Sequence, residues 1–118
     1  MDQADLIRLR HMRNATAEAL KFAAGKTRTD LDHDRMLILA ILKDLEIIGE
    51  AAGRVSRETK QGNPTVPWDE ITGMRNRLIH GYFDVNLDVV WETISHDLPQ
   101  LLVNIDTILG PPEQTTPP

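Results

Sequence analysis

At 118 residues the chain is long enough for one domain that buries roughly two thirds of the surface its unfolded form exposes, so folding requires neither metal nor disulfide. Thirteen Lys and Arg against 18 Asp and Glu give a formal charge of −5, which excludes a broad basic face for coating nucleic acid and confines any RNA contact to a local site. No cysteine is present, which removes a disulfide framework, a thiolate nucleophile and a Cys-based zinc site, and the 4% aromatic content is too low for an open base-stacking platform.

From about Gln3 to Ala24, Leu6, Ile7, Leu9, Met12, Ala15, Ala19, Leu20 and Ala23 recur close to helical spacing with charged residues largely between them, which predicts a first amphipathic helix. Acids and bases mix from Met1 to Arg13 without an apolar run, so neither signal peptide nor membrane span is expected and the protein should be soluble and cytoplasmic. Gly25 is placed as a left-handed helix stop, and the polar stretch Lys26 to Asp32 is expected to be a loop whose Asp30 or Asp32 caps the next helix. That second helix, the longest, is predicted over His33 to Lys60 on an apolar stripe running from Met36 to Val55. Gln61 to Pro67 holds two prolines and a glycine and must break it. A third helix is predicted from Trp68 to His80, closed by Gly81, and a fourth from a cap at Asn86 to Leu109, kinked at Pro99. With no strand-period alternation and no internal repeat, the expected fold is all-α, an up-and-down bundle of four to five helices over residues 1–110, followed by a Pro-rich mobile tail at 111–118.

The chemically dense segment is Arg75-Asn76-Arg77-Leu78-Ile79-His80-Gly81-Tyr82. On a continuous helix Asn76, Arg77 and His80 share one face, whereas Arg75 lies about 140° around from His80 and reaches it only through its long side chain or a loosened last turn. One reading is structural: His80 and the two arginines complement the negative end of a helix, and Tyr82 packs its ring on that end. The other is metal-free phosphodiester cleavage. His80, with an ordinary imidazole pKa of about 6.5, suits proton transfer at a ribose 2′-hydroxyl or a leaving oxygen. Arg75 would grip the scissile phosphate, with Asn76 and Arg77 orienting phosphate or sugar, and a 2′,3′-cyclic phosphate would result. So sparse a set gains from a symmetric homodimer in which two copies of Arg75 and His80 line one cleft, with Gly73 allowing close approach there or packing inside the monomer. His11, His33 and His96 lack ligand-pair spacing, Glu92 and His96 make at most two ligands, and neither a phosphate-binding glycine loop nor a Gly-x-Ser-x-Gly elbow is present, so no metal and no cofactor are expected.

Arg75-x4-His80-x-Tyr82, together with Trp68 to Met74 before it, Phe83 to Trp91 after it, Ile47-Ile48-Gly49-Glu50-Ala51-Ala52 and Asp97-Leu98-Pro99, resembles the HepT family of HEPN-domain toxins from about Leu37 to Leu109. The resemblance implies a metal-independent endoribonuclease acting as a homodimer with Arg75 and His80 catalytic. It also implies a nucleotidyltransferase antitoxin, MntA, that silences the toxin by transferring adenylate from ATP to Tyr82, where a bulky anion would block the cleft and repel RNA. Transfer RNA and messenger RNA are both candidate substrates; DNA and membranes are not among the expected partners. Glu50 is a candidate for orienting a motif residue. Two alternatives stand beside the nuclease: a non-catalytic helical dimer that binds a nucleotidyltransferase or a nucleotide through Arg75, Arg77 and His80, and a structural dimer with no ligand.

Overall fold

Short polar side chains decide where four of the helices begin. The computed structural model describes residues 1–80 and 84–110, and of Arg75, Ile79 and His80 the backbone alone. Asp2 accepts from the N–H of Asp5 at 2.8 Å and so opens α1 (Gln3–Ala23). Gly25 then adopts a φ of +75°, the left-handed stop expected of it. A single turn, α2 (Asp30–His33), precedes Asp34, whose carboxylate accepts from Leu37 N–H at 3.0 Å and caps α3 (Arg35–Arg54).

The helix predicted over His33 to Lys60 is therefore three pieces. Of its apolar stripe Met36 and Leu39 are exposed, whereas Leu37, Ile41, Leu45, Ile48, Ala51, Ala52 and Val55 are buried; Val55 is extended and Ser56 caps a new short helix, α4 (Arg57–Gly62). The interruption is imposed by tertiary contact. Buried Asp5 of α1 accepts from Ser56 N–H at 2.9 Å, from the Ser56 hydroxyl at 2.5 Å and from the Thr59 hydroxyl at 2.6 Å, fixing the start of α4 against α1.

The third predicted helix divides as well. α5 (Trp68–Thr72) ends at Gly73, α6 (Met74–Leu78) follows, and the chain then extends into β1 (Ile79–His80), which pairs antiparallel with β2 (Asp84–Val85). Ile79 faces Val85 and His80 faces Asp84 in this short hairpin, and Asn86 N–H donates to Leu78 carbonyl at 2.8 Å to close its base. Asn86 also caps α7 (Leu87–Glu92), as its sequence position predicts, by accepting from Val89 N–H at 3.1 Å.

Beyond α7, residues Thr93–Asp97 form a π-helical turn that leads into α8 (Leu98–Leu109). Pro99 has no N–H to give to Ser95, and its ring would press on that carbonyl in a regular helix; the backbone instead widens so that Leu98 N–H donates to Thr93 carbonyl, five residues back. The kink expected at Pro99 is thus a wider turn in the preceding residues.

Helices α1, α3 and α8 enclose the core, with Leu9, Met12, Ile41, Ile48, Leu98 and Ile105 almost fully buried. Helices α5 and α6 pack across α3, where a Cβ added to Gly49 would lie 3.3 Å from the Ile71 carbonyl, so this glycine sets the approach of α5 to α3. The class is all-α, with one two-residue hairpin added.

One core position is electrostatically unfavourable. Asp44 of α3 is 2% exposed, its Oδ2 has no hydrogen-bond partner, and burial together with the neighbouring Glu18 of α1 pushes its carboxyl up to about 7. Because the folded state holds this proton more tightly than the unfolded chain, where the pKa is about 3.9, stability falls as pH rises between those values and levels off above the higher one. Asp44→Asn is expected to stabilise the protein by about 1–2 kcal/mol at pH 8 and much less at pH 5. Urea unfolding of both proteins at the two pH values checks this; an equal effect at both would show that charge burial at Asp44 is not the cause.

Candidate active site

The motif residues occupy the shortest elements of the fold. Arg75 and Asn76 lie in the first turn of α6, Arg77 follows, and His80 ends β1, so the segment passes from helix to extended chain between Leu78 and Ile79. The expectation that Asn76, Arg77 and His80 share a helical face is accordingly corrected: Asn76 and Arg77 are helical and exposed, while His80 is placed by strand pairing with Asp84. The last turn of the predicted helix is replaced by this hairpin. Tyr82 lies outside the described residues, as does the expected tail at 111–118.

The sequence explains the change of conformation. Leu78 is buried at 2% exposure and anchors α6, whereas the β-branched Ile79 and Val85 suit the paired, extended chain on either side of the turn. Gly73 divides α5 from α6 rather than sitting in mid-helix, and a Cβ there would come within 3.2 Å of the Asp69 carbonyl.

Arg77 is held by its own neighbourhood. Its Nη2 donates to the Glu70 carbonyl at 3.1 Å, tying α6 back to α5 and leaving the other guanidinium donors available. Arg77 stands at the wall of a cavity of about 380 Å³ between α5–α6 and the π-turn–α8 junction. The floor is apolar, with Ile71, Met74, Leu98 and Leu101, and the wall carries His96, Asp97, Gln100 and Asn104. His96 Nδ1 sits 3.1 Å from Glu92 Oε1, an exposed pair one turn apart.

Glu50 does not line this cavity. It borders a separate concavity of about 310 Å³ with Arg8, His11 and Arg54 on the α1–α3 face, while Gly49 and Gly53 are the α3 residues that meet Ile71 and Thr72. Among the described residues no three of His, Asp and Glu converge to hold a metal ion, and no helix is long and apolar enough to cross a membrane.

The part of this site that sequence reasoning missed is the cavity. Its polar residues come from Glu70 and Arg77 on one side and His96 to Asn104 on the other, and nothing in their spacing announces that the two segments meet. A signal was available in Pro99, which disturbs the helix beside His96 and Asp97.

Comparison with known proteins places these features in a family. The model of the ribonuclease HepT-like family matches residues 12–108, a span that contains α6, the hairpin and both walls of the cavity. A candidate RNase of Caldanaerobacter subterraneus subsp. tengcongensis is 38% identical over 101 residues, covering 86% of this chain and 90% of that protein. A probable ribonuclease HepT of Thermococcus cleftensis is 38% identical over 89 residues, covering 72% and 81%. A candidate RNase of Methanocaldococcus jannaschii is 29% identical over 91 residues, covering 77% and 84%. No solved structure matches the chain. With the family model spanning most of its length and relatives this similar over most of theirs, the chain belongs to the HepT-like ribonuclease family.

Proposed function

We propose that the protein is a metal-independent endoribonuclease toxin, active as a homodimer, with Arg75 and His80 as its catalytic residues. The observation that carries the proposal is the family match over residues 12–108, which includes the whole Arg75-x4-His80 motif. The placement of the motif at a helix-to-hairpin junction supports it, because the extended chain after Leu78 frees His80 from the helical register that separates it from Arg75.

In the reaction, one imidazole takes the proton of a ribose 2′-hydroxyl and that oxygen attacks the adjacent phosphorus. The bond from phosphorus to the 5′-oxygen breaks, and the leaving oxygen receives a proton from a second imidazole. The products are a 2′,3′-cyclic phosphate and a 5′-hydroxyl, with no oxidant, metal or cofactor consumed. A homodimer supplies two His80 side chains, one for each proton transfer, and Arg75 neutralises the charge that grows on the phosphoryl oxygens. Asn76 and Arg77, both exposed on α6, orient the RNA backbone.

Control of such an activity falls to Tyr82, two residues beyond His80. Transfer of an adenylate from ATP to its hydroxyl by an MntA-like nucleotidyltransferase antitoxin would place a phosphodiester anion beside the site and exclude RNA by bulk and charge. A toxin–antitoxin pair of this kind acts in the cytoplasm.

The test is to incubate purified protein with total RNA and with transfer RNA in excess chelator and to analyse the fragment ends. Cleavage leaving 2′,3′-cyclic phosphates is the expected result. Intact RNA under these conditions, from a protein whose dimer and unmodified Tyr82 have been established by size analysis and mass spectrometry, would sink the proposal.

A further inference from the structure

We infer that the cavity between α5–α6 and the π-turn–α8 junction is a nucleobase subsite that takes one unpaired guanine of the RNA substrate, with Asp97 reading its edge. The inference rests on the ribonuclease reading and extends it to base preference.

The chemistry of the walls selects the occupant. Ile71, Met74, Leu98 and Leu101 give an apolar floor suited to the face of a base, in a cavity of about 380 Å³, within the roughly 300–1,000 Å³ common for small-ligand sites. Glu70 and Asp97 put two acids on the walls, which disfavours a phosphate inside and favours a group that donates hydrogen bonds. Asp97 makes no hydrogen bond or ion pair among the described residues, whereas His96 is paired with Glu92 and the Gln100 amide donates to Asn104 Oδ1 at 3.0 Å. A lone carboxylate has two acceptor oxygens side by side. Guanine alone among the standard bases presents two adjacent donors, N1–H and the N2 amine, on one edge, and the match is bidentate.

The backbone supports the same assignment. Asp97 closes the π-helical turn Thr93–Asp97 and lines the cavity. The cavity also adjoins the helix that carries part of the motif, since Met74 and Arg77 belong to the same five-residue helix as Arg75. In regular helical register positions 75 and 77 lie about 200° apart on the exposed side of α6, with exposed Asn76 midway between them. A strand whose scissile phosphate is held at Arg75 thus crosses α6 over Asn76 and meets Arg77 at the mouth of the cavity. The free donors of Arg77 hold the phosphate outside while the base enters.

The test compares single-stranded oligonucleotides of one sequence carrying guanine, inosine or adenine beside the cut, with binding of guanosine 3′-monophosphate and uridine 3′-monophosphate measured by calorimetry in parallel. Inosine removes the N2 amine alone, so a loss of about tenfold in kcat/KM relative to guanine is expected from the wild type, shrinking to about twofold in Asp97→Asn. Guanosine 3′-monophosphate should bind more tightly than the uridine nucleotide, and Asp97→Asn should abolish that difference. Cleavage with equal rates on all three oligonucleotides would overturn the subsite and leave the ribonuclease reading intact. Absence of cleavage with Asp97-dependent binding of the guanosine nucleotide would support the subsite while the nuclease reading fails, and indifference to the base in both measurements would overturn the inference.

Discussion

Replacing His80 by Ala is expected to lower RNA cleavage by about 10²–10⁴-fold, the usual contribution of a positioned general acid or base. The loss should fall on kcat, because the imidazole acts on protons in flight and holds no part of the substrate in the ground state. Arg75→Lys keeps the charge but loses the bidentate grip on the phosphate, and a fall of about 10²–10³-fold is expected on the scale of a removed transition-state donor. Both variants should retain helicity, since His80 pairs with Asp84 through the backbone and Arg75 lies in the first turn of α6, where lysine has a helical propensity close to that of arginine. In a dimer with two imidazoles in one cleft, mixing wild-type and His80→Ala chains gives a sharper result. If each site draws its base and its acid from different copies, the heterodimer should be as inactive as the mutant homodimer. Steady-state kinetics on one defined oligonucleotide checks all three; a His80→Ala protein that cleaves at the wild-type rate would remove His80 from the chemistry.

How far the sequence predicted this arrangement depends on which interaction decided each element. Helix faces were legible because burial follows local period: Leu9, Met12, Ala15, Ala19 and Ala23 form the inner face of α1 as their spacing requires. Stops at Gly25 and the start at Asn86 were legible because the deciding side chain or backbone freedom lies at the boundary itself. The break at Val55–Ser56 was not, because it is set by Asp5, 51 positions earlier in the chain. The shift to extended chain at Ile79 was missed for a similar reason, since its partner Val85 lies across a turn and local propensity alone continues the helix from Trp68. At the candidate site the motif residues were named from sequence, yet their relative placement was not, and the cavity that Arg77 borders required two segments nearly twenty residues apart to meet. The two buried aspartates show the same divide. Asp5 and Asp44 are both buried on helices, but one has three donors around it and the other an unpartnered oxygen and a second carboxylate, so their pKa values move in opposite directions.

Asp5→Ala is expected to be the most damaging single change outside the core apolar residues, destabilising the protein by about 3 kcal/mol. Three hydrogen bonds to one ionised carboxylate are lost together, and the Thr59 hydroxyl, on a residue 8% exposed, is left without that partner. The effect should exceed that of a surface ion pair because Asp5 is 3% exposed, so water does not readily replace it. The same contacts fix the pH dependence. Hydrogen bonds from the Ser56 hydroxyl, the Thr59 hydroxyl and the Ser56 N–H hold the Asp5 carboxyl below its ordinary value, outweighing the opposing effect of burial. A folded-state pKa below the unfolded one means that this stabilisation is fully present above about pH 4 and is lost as pH falls through the lowered value. Asp5→Asn keeps the shape and part of the hydrogen bonding but cannot ionise, so it should lose less than Asp5→Ala at neutral pH and show a flatter acid limb than the wild type. Denaturant unfolding from pH 7 down to pH 3 distinguishes these cases. Equal stability of wild type and Asp5→Ala at pH 7 would show that α4 is held against α1 by its apolar contacts alone, whereas the predicted ordering of the three proteins would establish that a carboxylate near the amino terminus decides where the long central helix ends.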